Sequence, residues 1–225
     1  MNPGTVDDAR MAREHGPRTL KAAATRFFTF ASPRFLGTQL LLALGARAFF
    51  GAPTTAELVA IVGVVIYWPL QEWFFHWQLL HWKPRYVFGV KLDPHFAKVH
   101  RYHHAHPWDL ATSLLPLRVV LSIAPFHVLF WWAVMPDWAG MATGVAAFTA
   151  ATLVYEWIHY LTHTPYRPTS RYFRTVRRNH RMHHFRNEHF WHSFTAPFLD
   201  RLFGTGPDPR DVPRSATCHN RGVID

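Results

Sequence analysis

Ten of the chain's 17 histidines fall into four short clusters. His76 and His81 are spaced H-x4-H in EWFFHWQLLHW, and His100, His103 and His104 form H-x2-HH in HRYHH. His159 and His163 are spaced H-x3-H in YEWIHYLTH, and His180, His183 and His184 repeat H-x2-HH in HRMHH. Burying ten imidazoles without a metal would leave many ring nitrogens unpaired, which folded proteins avoid. Ten ligands exceed the roughly four to six that one ion takes, and suit two. Imidazole serves iron, zinc and copper alike, so ligand type leaves the metal open.

Helical spacing predicts how the clusters present themselves. Residues i and i+4 lie about 40° apart, and i and i+3 about 60° apart. His159 and His163 therefore share a face, and each H-x2-HH fans three rings over one side of a helix. His76 and His81 diverge by about 140° on an α-helix, so they are expected to flank the site or to sit where the helix frays. Two acids sit beside clusters in apolar surroundings: Glu72, four before His76, and Glu156, three before His159. Carboxylates are costly in such places and usually functional. Glu72 and Glu156 are expected to accept the outer ring N–H of a ligating histidine, as Asp109 and Asp200 could from the polar side. His95, His106, His189 and His192 are read as supporting or surface groups, and His127 as a packing residue.

The elements that must position these groups are apolar. Of 225 residues 49% are hydrophobic and only 17% charged, against roughly 25% charged in an average soluble domain. Aromatics at 16% exclude disorder. The single Cys218 excludes a disulfide scaffold and any cysteine-based zinc or iron–sulfur site. Apolar stretches cover 35–50, interrupted by Arg47, then 58–80, 119–135 with Pro125, and 139–161. A spanning helix needs about 20 apolar residues. The second and fourth qualify, the third is shorter with a kink expected at Pro125, and the first is weak enough to be re-entrant. The expected fold is an all-α membrane bundle of about four transmembrane helices with a histidine-rich helical cap. Residues 26–205 would form this domain, between a loose polar N-terminus (1–25) and a loose tail (206–225).

Charge sets the orientation. The links 51–57 and 136–138 lack Lys and Arg, whereas 83–101 and 164–186 carry five and seven of them. By the positive-inside rule both termini and all four clusters face the cytoplasm. The net charge of +10 points first to a membrane surface. No nucleic-acid fold motif accompanies the Arg-rich segment, so no nucleic-acid partner is expected. A metal transporter would spread ionisable groups along a path through the bilayer, whereas here they gather at one face.

The order H-x4-H, H-x2-HH, H-x3-H, H-x2-HH resembles the fatty acid hydroxylase/sterol desaturase superfamily, over roughly residues 60–205. EWFFHWQLLHWKP and the HHAHPWD ending are similar to the fatty acid 2-hydroxylase branch. NHRMHHFRNEHFWHSFTAPFLDRLFGT is similar to the closing segment of bacterial members. Acyl desaturases lack a separate H-x3-H before the final cluster. Carotenoid hydroxylases share an HRMHH-like cluster but typically have H-x4-H before it. The resemblance implies a dinuclear metal site on the ten clustered histidines, with iron as the working metal and zinc as an ion the isolated protein could carry. It implies O2-dependent hydroxylation of a lipid C–H bond, with sterol or carotenoid oxidation or desaturation as the neighbouring alternatives. Many eukaryotic members carry a fused haem-binding cytochrome domain. Only residues 1–34 precede the first apolar stretch here, so a separate donor, a ferredoxin or small cytochrome, is expected.

Overall fold

The computed structural model describes residues 16–135 and 137–218. Two helices, α1 (Leu20–Phe27) and α2 (Ala31–Arg47), meet at an 89° bend. Helix α3 (Thr55–Phe74) runs without a break into a π-helical turn, Phe75–Leu80. A hairpin follows, β1 (Arg85–Val87) antiparallel to β2 (Val90–Leu92), with Arg85 opposite Leu92. Then come α4 (His95–Ala105), α5 (Leu117–Val134), α6 (Trp138–Thr162), α7 (Arg171–Phe185) and the short α8 (Phe198–Leu202).

Local chemistry sets the helix starts. Thr54 and Glu57 form a reciprocal capping box at α3, Asp137 accepts from Gly140 N at 2.7 Å at α6, and Ser170 caps α7. The spans then follow from side-chain type. Among the described residues, α3 with its π turn, α5 and α6 are long and apolar enough to cross a membrane, and the bent pair α1–α2 makes a fourth if it counts as one span. Leu58, Val62, Val65 and Ile66 on α3, and Ile123, Phe126, Leu129 and Phe130 on α5, all face outward. An apolar belt of that extent marks a lipid-facing surface.

Helix α6 is the central post, packed against α2, α3 and α5. Its first half is built from small residues, with Ala139, Gly140, Ala142, Thr143, Gly144 and Ala146 all buried. Small side chains let helix backbones approach closely where lipid gives no hydrophobic drive. A Cβ on Gly144 would lie 2.2 Å from the Trp131 ring of α5. At the bundle end remote from the histidines, Arg47 pairs with Glu57, which also accepts from Thr143. Arg47 therefore ends α2 in a buried ion pair. The acid opening α3 escaped the reading of 51–57 as a plain link. Helix α5 runs through Pro125, and His127 accepts from Trp131 Nε1 at 3.0 Å, a packing role.

Both expected loose ends are partly tied down. Ala23 and Phe27 of α1 are buried, and Phe27 meets Trp157 and Tyr160 edge-on at 5.2 and tilted at 5.4 Å. Thr19 caps that helix, and the i, i+4 pair Ala23 and Phe27 gives a short polar segment an anchor. At the other end Arg186 Nε donates to Val212 O, Asn187 Nδ2 to Pro213 O, and Ser215 N to Arg186 O. Residues 1–15 and 219–225 of the two expected tails, with His15 and His219, lie outside the described residues.

Gly144→Val should overpack the α5–α6 contact, which costs typically about 1–3 kcal/mol. Thermal unfolding in detergent is expected to show a lowered midpoint that Trp131→Leu partly restores in the double variant.

Candidate metal centre

The ten clustered histidines converge beyond the ends of α3 and α6. The π turn places the first pair. His76 lies within the turn, whose wider pitch departs from α-helical spacing, and His81 is the residue that ends it; their rings sit 5.1 Å apart instead of diverging. This corrects the expected α-helical divergence: the helix changes pitch at Phe75 and ends at His81, so the pair sits at a helix end and within one set of rings.

The rings sort into two sets of five. One contains His76, His81, His100, His104 and His183; the other contains His103, His159, His163, His180 and His184. Within each set one nitrogen per ring lies within 4.8 Å of all the others. Neither H-x2-HH cluster stays together. The i, i+4 pair His100 and His104 joins the first set, and His103 crosses to the second. On α7 the pair His180 and His184 joins the second set and His183 crosses to the first. The two helices exchange ligands reciprocally, which couples the sets into one centre.

The nitrogens are spaced for a cation. The Nε2 atoms of His81, His100, His104 and His183 close a ring with edges of 3.1, 3.2, 3.1 and 3.1 Å. The middle of such a ring lies between about 1.9 Å (folded) and about 2.2 Å (flat) from each corner, which brackets a metal–imidazole bond of about 2.0–2.1 Å. In the second set His163 Nε2 lies 3.0, 3.2 and 2.7 Å from those of His103, His159 and His180.

Outer partners fix which nitrogen carries the proton. His76 Nδ1 donates to the His192 carbonyl at 2.6 Å, and His183 Nδ1 to the Phe190 carbonyl at 2.7 Å. A carbonyl only accepts, so each of these rings turns an unprotonated Nε2 inward. His103 Nδ1 faces the Thr112 hydroxyl at 3.3 Å, whose own proton goes to the Asp109 carbonyl at 2.7 Å. Burial, reinforced by neighbouring rings, holds His81, His100, His103, His163, His180, His183 and His184 well below the usual imidazole range. Burial takes His104 down to about 4. The rings are neutral at pH 7, the form that binds metal.

The acids do something other than expected. Among the described residues Glu72 hydrogen-bonds to no histidine. It accepts from Phe194 N at 2.6 Å, Thr195 N at 2.8 Å and Thr195 Oγ1 at 2.7 Å. It thereby fixes Phe194, which stacks on His76 at 4.8 Å and lies 4.6 and 4.8 Å from His159 and His180, under both sets. Glu156 accepts from Ser32 Oγ at 2.7 Å and Leu115 N at 2.8 Å, tying α2 and the approach to α5 onto α6. The His159 ring is not among its partners. Asp109 acts through its main chain, while its exposed carboxylate caps Ala111 N. Asp200 accepts from His192 N, Ser193 N and Thr205 Oγ1, and burial pushes it up to about 6.

One contributor was not singled out from the sequence: Phe194 carries no chemistry of its own, and nothing in its local spacing marks it. His192, read as a supporting or surface group, is buried and supporting, with its ring 5.3 Å from those of His76 and His183. His95 and His189 are exposed, and His106 stacks on Tyr102 at 4.1 Å. Trp73 is buried against Phe203, while Phe74, Phe75 and Trp77 face outward. Cys218 is buried with its thiol on Glu188 at 3.0 Å, and burial and that carboxylate push it well above the usual thiol range.

Glu72→Gln keeps an acceptor for the two backbone donors and should retain fold and site. Glu72→Leu strands three buried donors at about 1–3 kcal/mol each. Unfolding midpoints are expected to fall sharply for the leucine variant and little for the glutamine variant.

The chain is similar to known proteins over this same region. The fatty acid hydroxylase family model matches residues 61–205. The ceramide very long chain fatty acid hydroxylase SCS7 of Saccharomyces cerevisiae is 31% identical over 156 residues, covering 65% of this chain and 38% of that protein. The dihydroceramide fatty acyl 2-hydroxylase FAH1 of Arabidopsis thaliana is 26% identical over 217 residues, covering 91% of this chain and 85% of that protein. A solved structure, full length scs7p with only the hydroxylase domain visible, shares the fold at a TM-score of 0.60 and 23% identity, over 82% of this chain and 68% of that one. The chain thus spans well under half of the yeast relative's length. With the family model matching residues 61–205, more than half of the chain, the chain belongs to the fatty acid hydroxylase family.

Proposed function

We propose that this chain is a membrane-bound, O2-dependent hydroxylase acting on a C–H bond of a lipid acyl chain. The observation that carries this is the pair of five-histidine sets at the end of membrane-length helices. The reading assigns one metal ion to His76, His81, His100, His104 and His183, and a second to His103, His159, His163, His180 and His184. Iron is the proposed metal. When bound, such a pair supplies the reduction of O2 and the oxidation of the C–H bond. The overall change is R–H + O2 + 2 electrons + 2 protons giving R–OH + H2O.

The chain's own residues do the positioning. The His192 and Phe190 carbonyls and Thr112 hold the protons of three rings outward. Phe194 packs an apolar surface beneath His76, His159 and His180, and so keeps water from that side. The names of the relatives favour a ceramide or fatty acyl substrate. The exposed apolar belt of α3 and α5 fits entry of that substrate from the bilayer. The two electrons come from a separate carrier, a ferredoxin or small cytochrome. The exposed Arg171, Arg174 and Arg178, with half-buried Arg177, fit an acidic partner. The basic segments 83–101 and 164–186 support a cytoplasmic position for the metal centre and both termini.

Cells expressing the protein under 18O2 are expected to incorporate one 18O atom into a membrane-lipid acyl chain, and His159→Ala should abolish it. Absence of label from every lipid in cells whose purified protein is fully metallated would overturn the reading.

A further inference from the structure

A pocket of ≈ 50 Å³ opens against the second histidine set. His163, His180 and His184 form one side, and Arg177, Arg181 and Trp108 complete it. Residues 177, 180, 181 and 184 lie on one stripe of α7, because i, i+3 and i+4 share a helix face. Thr162 at the end of α6 and Thr164 and Pro165 just after it also line the pocket.

Among the described residues no Asp or Glu lines the pocket. Arg167 adds its charge to those of Arg177 and Arg181, and burial with this crowding lowers Arg177 to about 10. Like charges collect this way only against a cost, which an anion relieves. Five buried polar atoms of the lining have no hydrogen-bond partner among the described residues: His184 Nε2, which belongs to the metal set, and four on the outer side, Arg177 Nη1, Trp108 Nε1, His180 Nδ1 and His184 Nδ1. Of these four, taken in that order, the first two only donate. The last two are N–H donors once each ring turns Nε2 inward. The Thr162 and Thr164 hydroxyl protons are already given to the His159 and Leu161 carbonyls. A water molecule here would accept from two donors and turn its own protons towards guanidinium groups.

We propose that this pocket is a binding site for a small anion, a carboxylate or inorganic oxyanion, held by Arg177, Trp108 and the outer N–H groups of His180 and His184. The volume suits a group of formate size. Resting on the metal reading above, the site has a consequence: an anion accepting from His180 and His184 makes their inward nitrogens better ligands. Anion occupancy would then set how firmly the second ion is held.

The test uses the full chain as purified in detergent, with metal content recorded and ionic strength held by a bulky sulfonate too large for the pocket. Titration with formate, followed by thermal unfolding and by binding of radiolabelled formate, should show saturation. Arg177→Gln should abolish it. Trp108→Phe keeps a ring against Phe185, stacked at 5.9 Å in the native chain, and removes one donor; it should weaken binding roughly tenfold. If Arg177→Gln fails to fold, the tryptophan variant decides. An unsaturable shift, or saturation unchanged in both variants, would overturn the proposal. Saturable binding without 18O incorporation would leave the pocket standing and the hydroxylase reading fallen; label without saturable binding would do the reverse.

Discussion

Inward-facing imidazole lone pairs organise this molecule. Three rings are held in that state by outer hydrogen bonds, from His76 and His183 to main-chain carbonyls and from His103 to a threonine hydroxyl. Nitrogens brought within about 3 Å with lone pairs turned on one another repel unless a cation lies among them. Everything around the centre then serves to hold an arrangement that the rings would not adopt by themselves. The small-residue face of α6 brings neighbouring helices close, and Glu156 ties α2 and the approach to α5 to it one turn before His159. The ion pair of Arg47 and Glu57 closes the far end of the bundle.

The segment after α7 is as much part of the centre as the helices. Residues 190–195 supply two carbonyls, one ring under both sets and the buried His192. Two buried acids shape this segment: Glu72 from below, through Phe194 and Thr195, and Asp200 from the side, through His192 and Ser193. Trp191 takes a positive φ of 56°, a strained backbone for a bulky residue, which the surrounding bonds must sustain. In physical terms this segment converts two carboxylates that bond to its backbone, and to none of the ten clustered rings, into constraints on where those rings point.

Much of this was legible in the residues. Apolar stretches of spanning length and the four clusters were sufficient to read a helical membrane bundle with one histidine-rich end. Other features depend on partners far away in sequence. Glu72 bonds to residues 122 and 123 positions on, so its spacing from His76 carried no information about its role. Glu156 misled in the same way, lying one turn from His159 yet serving Ser32 and Leu115. The H-x4-H spacing misled through α-helical geometry, since the helix changes pitch at Phe75 and ends at His81. The division of each H-x2-HH between two sets follows from angle alone once a second helix faces it, and becomes visible only when α4 and α7 are seen together.

The central claim is that the ten histidines form two interlocked five-ligand sets, each holding one ion. It is tested most directly by metal stoichiometry, measured by mass spectrometry on anaerobically purified protein. The comparison is wild type against two variants that alter adjacent residues, His183→Ala and His184→Ala. The account predicts two ions per chain in the wild type. Loss in His183→Ala should be confined largely to the first set and in His184→Ala to the second, with the surviving ion of each variant in a different ligand environment by X-ray absorption. One ion per chain in the wild type, or the same residual site in both variants, would contradict it.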